Sequence, residues 1–312
     1  MMDLKSKIYV AGHLGMVGSS IVRALNRAGY HNIIGKSIDE LDLCNQNEVN
    51  KFFEIEKPDY VILAAAKVGG IMANIQSPAD FIWINSMIEC NIVKACHDYG
   101  VKKLLFLASS CIYPRLCPQP MKEEYLMDGK VEPTNEGYAL AKIIGIKMCE
   151  FFSRQYGDNF VSIMPCNLFG TFDNFDPEKS HVIPALIRKF HEAKVKNEAK
   201  VTVWGTGNAR REFLFTDDVA DACVFMLNEY NNREFLNVGA QKDYSIKEIA
   251  EIVKKVVGYQ GDIEFDASKP DGMPQKLMDS TKIYNYGWKP KHTFEESLAI
   301  TYQWFLDNVY GR

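Results

Sequence analysis

Residues 11–19, AGHLGMVGS, set three glycines at every third position directly after the apolar run KIYV. Gly12, Gly15 and Gly18 lie between that strand-like run and a helical pattern that begins at Val17 and stops at Gly29. Glycines at this junction allow a tight turn, let a pyrophosphate approach the backbone, and bring helix and strand close together. Small residues also serve ordinary packing. At the first strand–helix junction of an alternating chain, however, the spacing marks a dinucleotide loop. Met16 and Val17, set among these glycines, are candidate cofactor contacts with them.

Working outward, short β-branched runs alternate with longer helical patterns. NIIGK is followed by NEVNKFFEIEK, YVILAAA by a long helix after Pro78, and KLLFLAS by a helix over about 136–156 that leads into FVSIMPCNLFG. Strand, helix, strand repeated in this way predicts an α/β fold, a doubly wound parallel sheet of Rossmann type with helices on both faces. After about Asn167 the rhythm changes. The amphipathic stretches HVIPALIRKFHEA and SIKEIAEIVKKVVG are separated by KVTVWGTG and EFLNVGA. A smaller C-terminal α/β lobe is therefore expected. The dinucleotide-binding domain is placed at 1–166, with returns at about 213–240, and the mainly substrate-binding lobe at 167–312.

Composition narrows the classes. The chain has 312 residues, 47% hydrophobic and 24% charged, enough for one large or two closely joined domains. A net charge of −4 argues against a nucleic-acid partner. No apolar run approaches the ~18 residues of a membrane span. The opening MMDLKSKIYVAGHLG runs straight into strand and glycine loop without a signal-peptide core. Eight cysteines without a CxxC pair and six histidines without an HExxH pattern suggest neither a disulfide framework nor a metal site. A cytoplasmic protein without metal or membrane contact is expected.

Small or polar segments follow several strands: GHLGMVGSS, AAAKVGG, SSCIYP and CNLFG. In an open α/β sheet the carboxyl ends of the strands border the ligand crevice, so these four fall on one edge. They contribute Ala65, Pro165, Asn167 and Leu168 as candidate cofactor neighbours. The second strand ends IIGKSIDELDL, with no carboxylate before Asp39 to meet a ribose and repel a 2′-phosphate. Lys36 and Ser37 there favour NADP. Asp42 and Leu43 sit where a loop can pass the adenine.

The pair Tyr138 and Lys142 in YALAK occupies one face of a helix at i,i+4 spacing. A phenol near pKa ~10 is a poor acid–base group at neutral pH. A nearby ammonium is expected to draw it toward working range, and the same lysine can hold the nicotinamide ribose. Ser109 ends the strand LLFLAS, where its hydroxyl can share a substrate carbonyl oxygen with Tyr138. Two donors on one oxygen polarise the carbonyl for hydride attack. Ser110 suits a capping role or a second contact. Cys111 could remove a proton beside a ketone and His181 could return one, although composition alone makes them a packed cysteine and a helix-capping histidine.

With these residues assembled, the chain resembles the extended short-chain dehydrogenase/reductases, and among them the GDP-L-fucose synthase family of GDP-4-keto-6-deoxy-mannose 3,5-epimerase/4-reductases. LAAAKVGGI, SSCIYP, PTNEGYALAKIIGIKMCE, SHVIPALIRKFHEA, REFLFTDDVA, FDASKPDGMPQKL and TYQWFLDN carry the resemblance from end to end. It implies that Tyr138, Lys142 and Ser109 serve reduction, that Cys111 is the epimerisation base and His181 the acid, and that His181 also borders NADPH. It implies proton exchange at carbons 3 and 5 before hydride delivery to carbon 4. Lys189, Trp204, Arg211, Asp271, Lys276 and Asn167 become candidate contacts of the GDP-sugar, Arg211 as a planar fork for diphosphate oxygens. A homodimer through the helices after Pro78 and from Glu136, and a capsule or lipopolysaccharide role, are implied likewise.

The sequence also departs from that family. Leu14 and Ile38 stand where basic residues help hold a 2′-phosphate, which leaves NADH open as a second donor. Lys189 stands where an arginine is expected. A near alternative is a GDP-4-keto-heptose reductase without epimerase activity. Further ones are an NAD-dependent nucleotide-sugar 4-epimerase and a non-catalytic NADP-binding protein. A 4,6-dehydratase is disfavoured, because SSCIYP lacks the Asp–Glu pair such enzymes place at the strand end.

Overall fold

A computed structural model of the chain describes residues 1–177, 180–269 and 271–310. Of the expected second lobe, residues 178, 179, 270, 311 and 312 lie outside these. In chain order the strands are β1 (Ile8–Ala11), β2 (Ile33–Ile34), β3 (Tyr60–Leu63), β4 (Lys103–Leu107), β5 (Phe160–Pro165), β6 (Asn167–Phe169), β7 (Lys200–Trp204), β8 (Arg210–Phe215), β9 (Leu236–Val238), β10 (Asp243–Ser245), β11 (Asp262–Asp266) and β12 (Gln275–Lys276).

Every residue of β1, β4 and β5 is buried. A strand sealed on both faces reads as a continuous apolar run, which is why these segments lack in–out alternation. They form a six-stranded parallel sheet in the order β2-β1-β3-β4-β5-β9. Because β1 lies between β2 and β3, the winding direction reverses there. That reversal opens the crevice at the carboxyl ends. Ala11 pairs with Leu63 and Leu63 with Phe106, so the loops leaving β1, β3 and β4 emerge side by side.

The helices are α1 (Met16–Arg27), α2 (Gln46–Glu56), α3 (Ile71–Gln76), α4 (Pro78–Asp98), α5 (Glu136–Tyr156), α6 (Val182–Lys196), α7 (Thr216–Glu229), α8 (Ile246–Val257), α9 (Thr281–Asn285) and α10 (Phe294–Phe305). One layer packs α1 against α7, the other α4 against α2 and α5. Local chemistry sets the ends. Pro78 starts α4 at the position where a missing N–H costs nothing. Gly157 stops α5 with φ +82°. Ser245 and Glu248 close a reciprocal capping box on α8.

A second core forms around Phe169, Phe190, Phe213, Phe294 and Phe305. There β8 carries β10 antiparallel and β12 and β6 parallel, while β7 and β11 make a separate parallel pair. The first core reaches further along the chain than the expected returns at 213–240. Met278, Ile283 and Trp288 are buried in it, because α9 folds back onto β9. The short helix α3 had no sequence expectation: it is a six-residue piece with no side-chain cap.

Candidate active site

The loop after β1 has the shape its glycines foretold. Gly12 has φ +86°, and a Cβ there would lie 2.8 Å from the backbone of Ala65. A Cβ on Gly18 would come within 2.0 Å of the Gly12 carbonyl oxygen. These two glycines are needed by the protein's own packing. Gly15 is different: it caps α1 without any side-chain bond, and a Cβ there would meet only the Gly12 oxygen at 3.4 Å. The first N–H groups of α1, those of Met16 and Val17, are therefore presented to the crevice at the positive end of a 12-residue helix. Backbone donors with no obstructing side chain fit a dinucleotide pyrophosphate.

At the end of β4 the chain turns sharply, with Ser109 capping a short turn through Ser110, Cys111 and Ile112. The Ser109 hydroxyl accepts a weak bond from the Cys111 N–H at 3.5 Å and lies close enough to the Tyr138 phenol to oppose the rise in its pKa. Ser110 and Cys111 are buried. The Tyr138 ring meets Phe81 of α4 edge-on, with centroids 6.4 Å apart. One turn later the Lys142 ammonium lies 5.7 Å from the Tyr138 ring centroid and donates to the Leu107 carbonyl at 3.2 Å. Ser109, Cys111, Tyr138 and Lys142 are thus one cluster, built from a strand end and a single face of α5.

One expectation is corrected here. Lys142 does not draw Tyr138 toward a neutral pKa. Burial pushes the phenol well above its ordinary value, and the nearby Cys111 and Glu89 add to this. A residue that sequence reasoning missed contributes to this. Glu89 of α4 forms a 3.1 Å ion pair with Lys142, both side chains being almost fully buried. The ammonium is already neutralised, so Tyr138 rests as a protonated acid.

Burial also raises the Cys111 thiol, opposed first by Lys276, then by Ser109 and Lys142. Lys276 accordingly faces the cysteine rather than standing only among the expected diphosphate contacts. It sits beside Arg211 in the β12–β8 register, and burial lowers its own pKa. His181 heads α6 as its N-cap. Its ring opens to solvent, yet the surrounding protein lowers its pKa by desolvation. Among the described residues it makes no side-chain bond to the Ser109–Tyr138 cluster.

The end of β2 differs from expectation in a second way. Lys36 pairs with Glu40 at 3.2 Å, and the Ser37 N–H and hydroxyl both donate to Glu40, at 2.8 and 2.9 Å. These bonds bring the Glu40 pKa down to about 2. The two groups expected to hold a 2′-phosphate are therefore already engaged by a carboxylate. Leu14 and Ile38 stand exposed beside them. Asp42 accepts from the Cys44 N–H at 2.9 Å, and the Leu43 carbonyl accepts from Asn91 at 2.9 Å, fixing the following loop. Pro165 ends β5, and Leu168 lies on β6. The Asn167 amide is turned to the Glu212 carbonyl at 2.8 Å, tying β6 to β8.

At the far end of the cleft the remaining candidates gather. Trp204 is 65% exposed, with the ammonium groups of Lys189 and Lys269 at 5.5 and 5.6 Å from its ring centroid. Asp271 accepts from the Thr206 N–H and hydroxyl, each at 2.7 Å. The Arg211 guanidinium donates to the Met273 carbonyl at 2.5 Å and the Asp271 carbonyl at 3.2 Å. An exposed aromatic face flanked by cations, with the half-buried Arg211 guanidinium tied to the Asp271 carbonyl, suits a nucleoside diphosphate.

The chain is similar along most of its length to several known proteins. The model of the NAD dependent epimerase/dehydratase family matches residues 8–239. GDP-L-fucose synthase 1 of Arabidopsis thaliana is 54% identical over 100% of this chain and 97% of its own. GDP-L-fucose synthase of Escherichia coli K12 is 51% identical over 97% and 98%. Among solved structures, a GDP-mannoheptose C4 reductase from Campylobacter jejuni with NADP bound superposes with a TM-score of 0.91 at 40% identity, over 98% of this chain and 100% of that one. The chain belongs to the NAD dependent epimerase/dehydratase family, within which its resemblance to the GDP-L-fucose synthases runs the length of the sequence.

Proposed function

We propose that the protein is an NADPH-dependent reductase of a GDP-4-keto-6-deoxy sugar, with 3,5-epimerisation, yielding GDP-L-fucose or a close relative. The observation that carries this is the convergence of Ser109, Cys111, Tyr138 and Lys142 at one strand end. The glycine loop supports NADPH at that place, and the full-length similarity to GDP-L-fucose synthases supports the substrate.

When bound, the reduced nicotinamide supplies a hydride to carbon 4. Tyr138, protonated because it is buried, donates a proton to the oxygen at that carbon. Ser109 donates a second hydrogen bond to the same oxygen, and Lys142 holds the ribose. In the preceding exchange the Cys111 thiolate removes protons from carbons 3 and 5, whose acidity comes from the ketone between them. Lys276 and Lys142 favour that thiolate. His181 returns protons from the other side. Trp204, Lys189, Arg211 and Asp271 bind the GDP portion, with Asn167 and Ser110 nearer the sugar.

The superposition on a GDP-mannoheptose C4 reductase favours one second reading, reduction of a GDP-4-keto-heptose without epimerisation. Solvent deuterium separates the two. Label entering carbons 3 and 5 in the absence of NADPH supports epimerisation, and no label supports reduction alone. We further propose a cytoplasmic homodimer joined through α4 and α5, whose Trp83, Leu140, Ile144 and Phe151 are exposed. A mass measurement in solution tests it.

A further inference from the structure

Glu89 has no part in the scheme above, yet its charged side chain is buried beside it. It lies on α4, the helix packed along α5, with its side chain 1% exposed and its carboxylate 3.1 Å from the Lys142 ammonium. A buried carboxylate is costly unless a partner charge meets it. Room for it exists only because residue 145 is glycine. A Cβ there would fall 2.7 Å from Glu89 Oε2 and 2.5 Å from the Phe106 ring. Besides the Tyr138 ring, the ammonium meets Glu89, the Leu107 carbonyl and the Phe106 ring at 4.8 Å.

We propose that Glu89 is a positioning residue for the reduction, its carboxylate pinning the Lys142 ammonium beside Tyr138 and cancelling its charge there. The proposal rests on the assignment of Tyr138 as proton donor. The titratable groups around it are Lys142, Tyr138 and Cys149 on α5, Cys90 on its own helix, and Cys111 across Lys142 and Tyr138. Burial raises the thiols of Cys90, Cys111 and Cys149, and Lys142 is the cation that Glu89 meets. Burial lifts Glu89 to about 7 against the pull of Lys142.

The test replaces Glu89 with Gln, which keeps the shape and removes the charge. An unbalanced ammonium then either loses its own proton earlier or draws off the phenol's. Both move the alkaline limb of the kcat–pH profile for NADPH oxidation to lower pH, by about one pH unit. The equilibrium affinity for NADPH, read by nucleotide fluorescence, is expected to weaken roughly fivefold as Lys142 loosens. Glu89→Asp keeps the charge but withdraws it. It should hold the limb in place, with lower kcat and weaker NADPH binding. A limb unmoved in a folded Glu89→Gln enzyme overturns the proposal, as does a limb moved equally by Asp. Should the Gln variant not fold, unchanged kcat and unchanged NADPH affinity in Glu89→Asp overturn it. Tyr138→Phe run alongside keeps the two claims apart: if it turns over like the parent, the donor assignment fails first.

Discussion

Cys111 and Lys276 lie within electrostatic reach of each other, the ammonium easing the buried thiol toward its ionised form. Lys276 is the strongest cation acting on the thiol, and the thiol the strongest anionic influence on the ammonium. They come from distant parts of the chain, a strand-end turn and the short strand β12. The pairing matters because the proposed base works only as thiolate, and burial disfavours that form.

Proton exchange at carbons 3 and 5 should therefore climb with pH. Below the raised thiol pKa each added pH unit gives about ten times more thiolate. Lys276→Met removes the main opposing charge, so the thiol pKa rises further and exchange at fixed pH falls. The loss should be roughly tenfold if that pKa climbs by about one. Deuterium incorporation without NADPH, followed by mass spectrometry, measures both. Exchange that is flat with pH and indifferent to Lys276→Met contradicts the assignment.

Cofactor choice should respond to Glu40. Its carboxylate occupies Lys36 and Ser37, and would repel a 2′-phosphate arriving there. Exposed ion pairs are worth less than ~1 kcal/mol, so Glu40→Gln should raise the NADPH over NADH ratio of kcat/KM by about two- to fivefold. Steady-state kinetics with both nucleotides check this. An unchanged ratio would mean that the clamp opens freely when nucleotide binds.

Gly145→Ala should destabilise the fold. The new methyl meets the Phe106 ring at 2.5 Å and Glu89 at 2.7 Å, with α4 and β4 already packed against α5. Overpacking of this kind costs about 1–3 kcal/mol. Urea denaturation should show a lower midpoint, whereas Gly157→Ala, in open space, should lose less and only through its φ of +82°.

At the nucleotide end, Arg211→Met should raise KM for the GDP-sugar about tenfold or more with a smaller effect on kcat, since a charge-assisted contact to the diphosphate is lost. Trp204→Ala should act in the same direction through its exposed ring. Equal losses in kcat alone would place neither residue in binding.

How much of this could be read in advance follows from how local each signal is. The glycine loop, the bounds of α5 and the Tyr138–Lys142 face depend on neighbours a few residues away, and their spacing carries them. The parallel order follows from strand and helix alternation. Glu89 was hidden inside the apolar stretch of α4, where one acid looks like a surface position until α5 is laid against it. Lys276 looked like one more cation for a diphosphate, because nothing in its own segment points to Cys111. Glu40 was overlooked although Ser37 and Glu40 have the spacing of a capping box, a signal that was available.

The most direct measurement pairs two variants in two assays with GDP-4-keto-6-deoxy-mannose: NADPH oxidation and solvent deuterium entry at carbons 3 and 5. Tyr138→Phe is expected to lose oxidation by about 100-fold or more while still exchanging protons, and Cys111→Ser to lose exchange. A Tyr138→Phe enzyme that oxidises NADPH as fast as the parent would contradict the assignment of the proton donor and, with it, the proposed chemistry of the site.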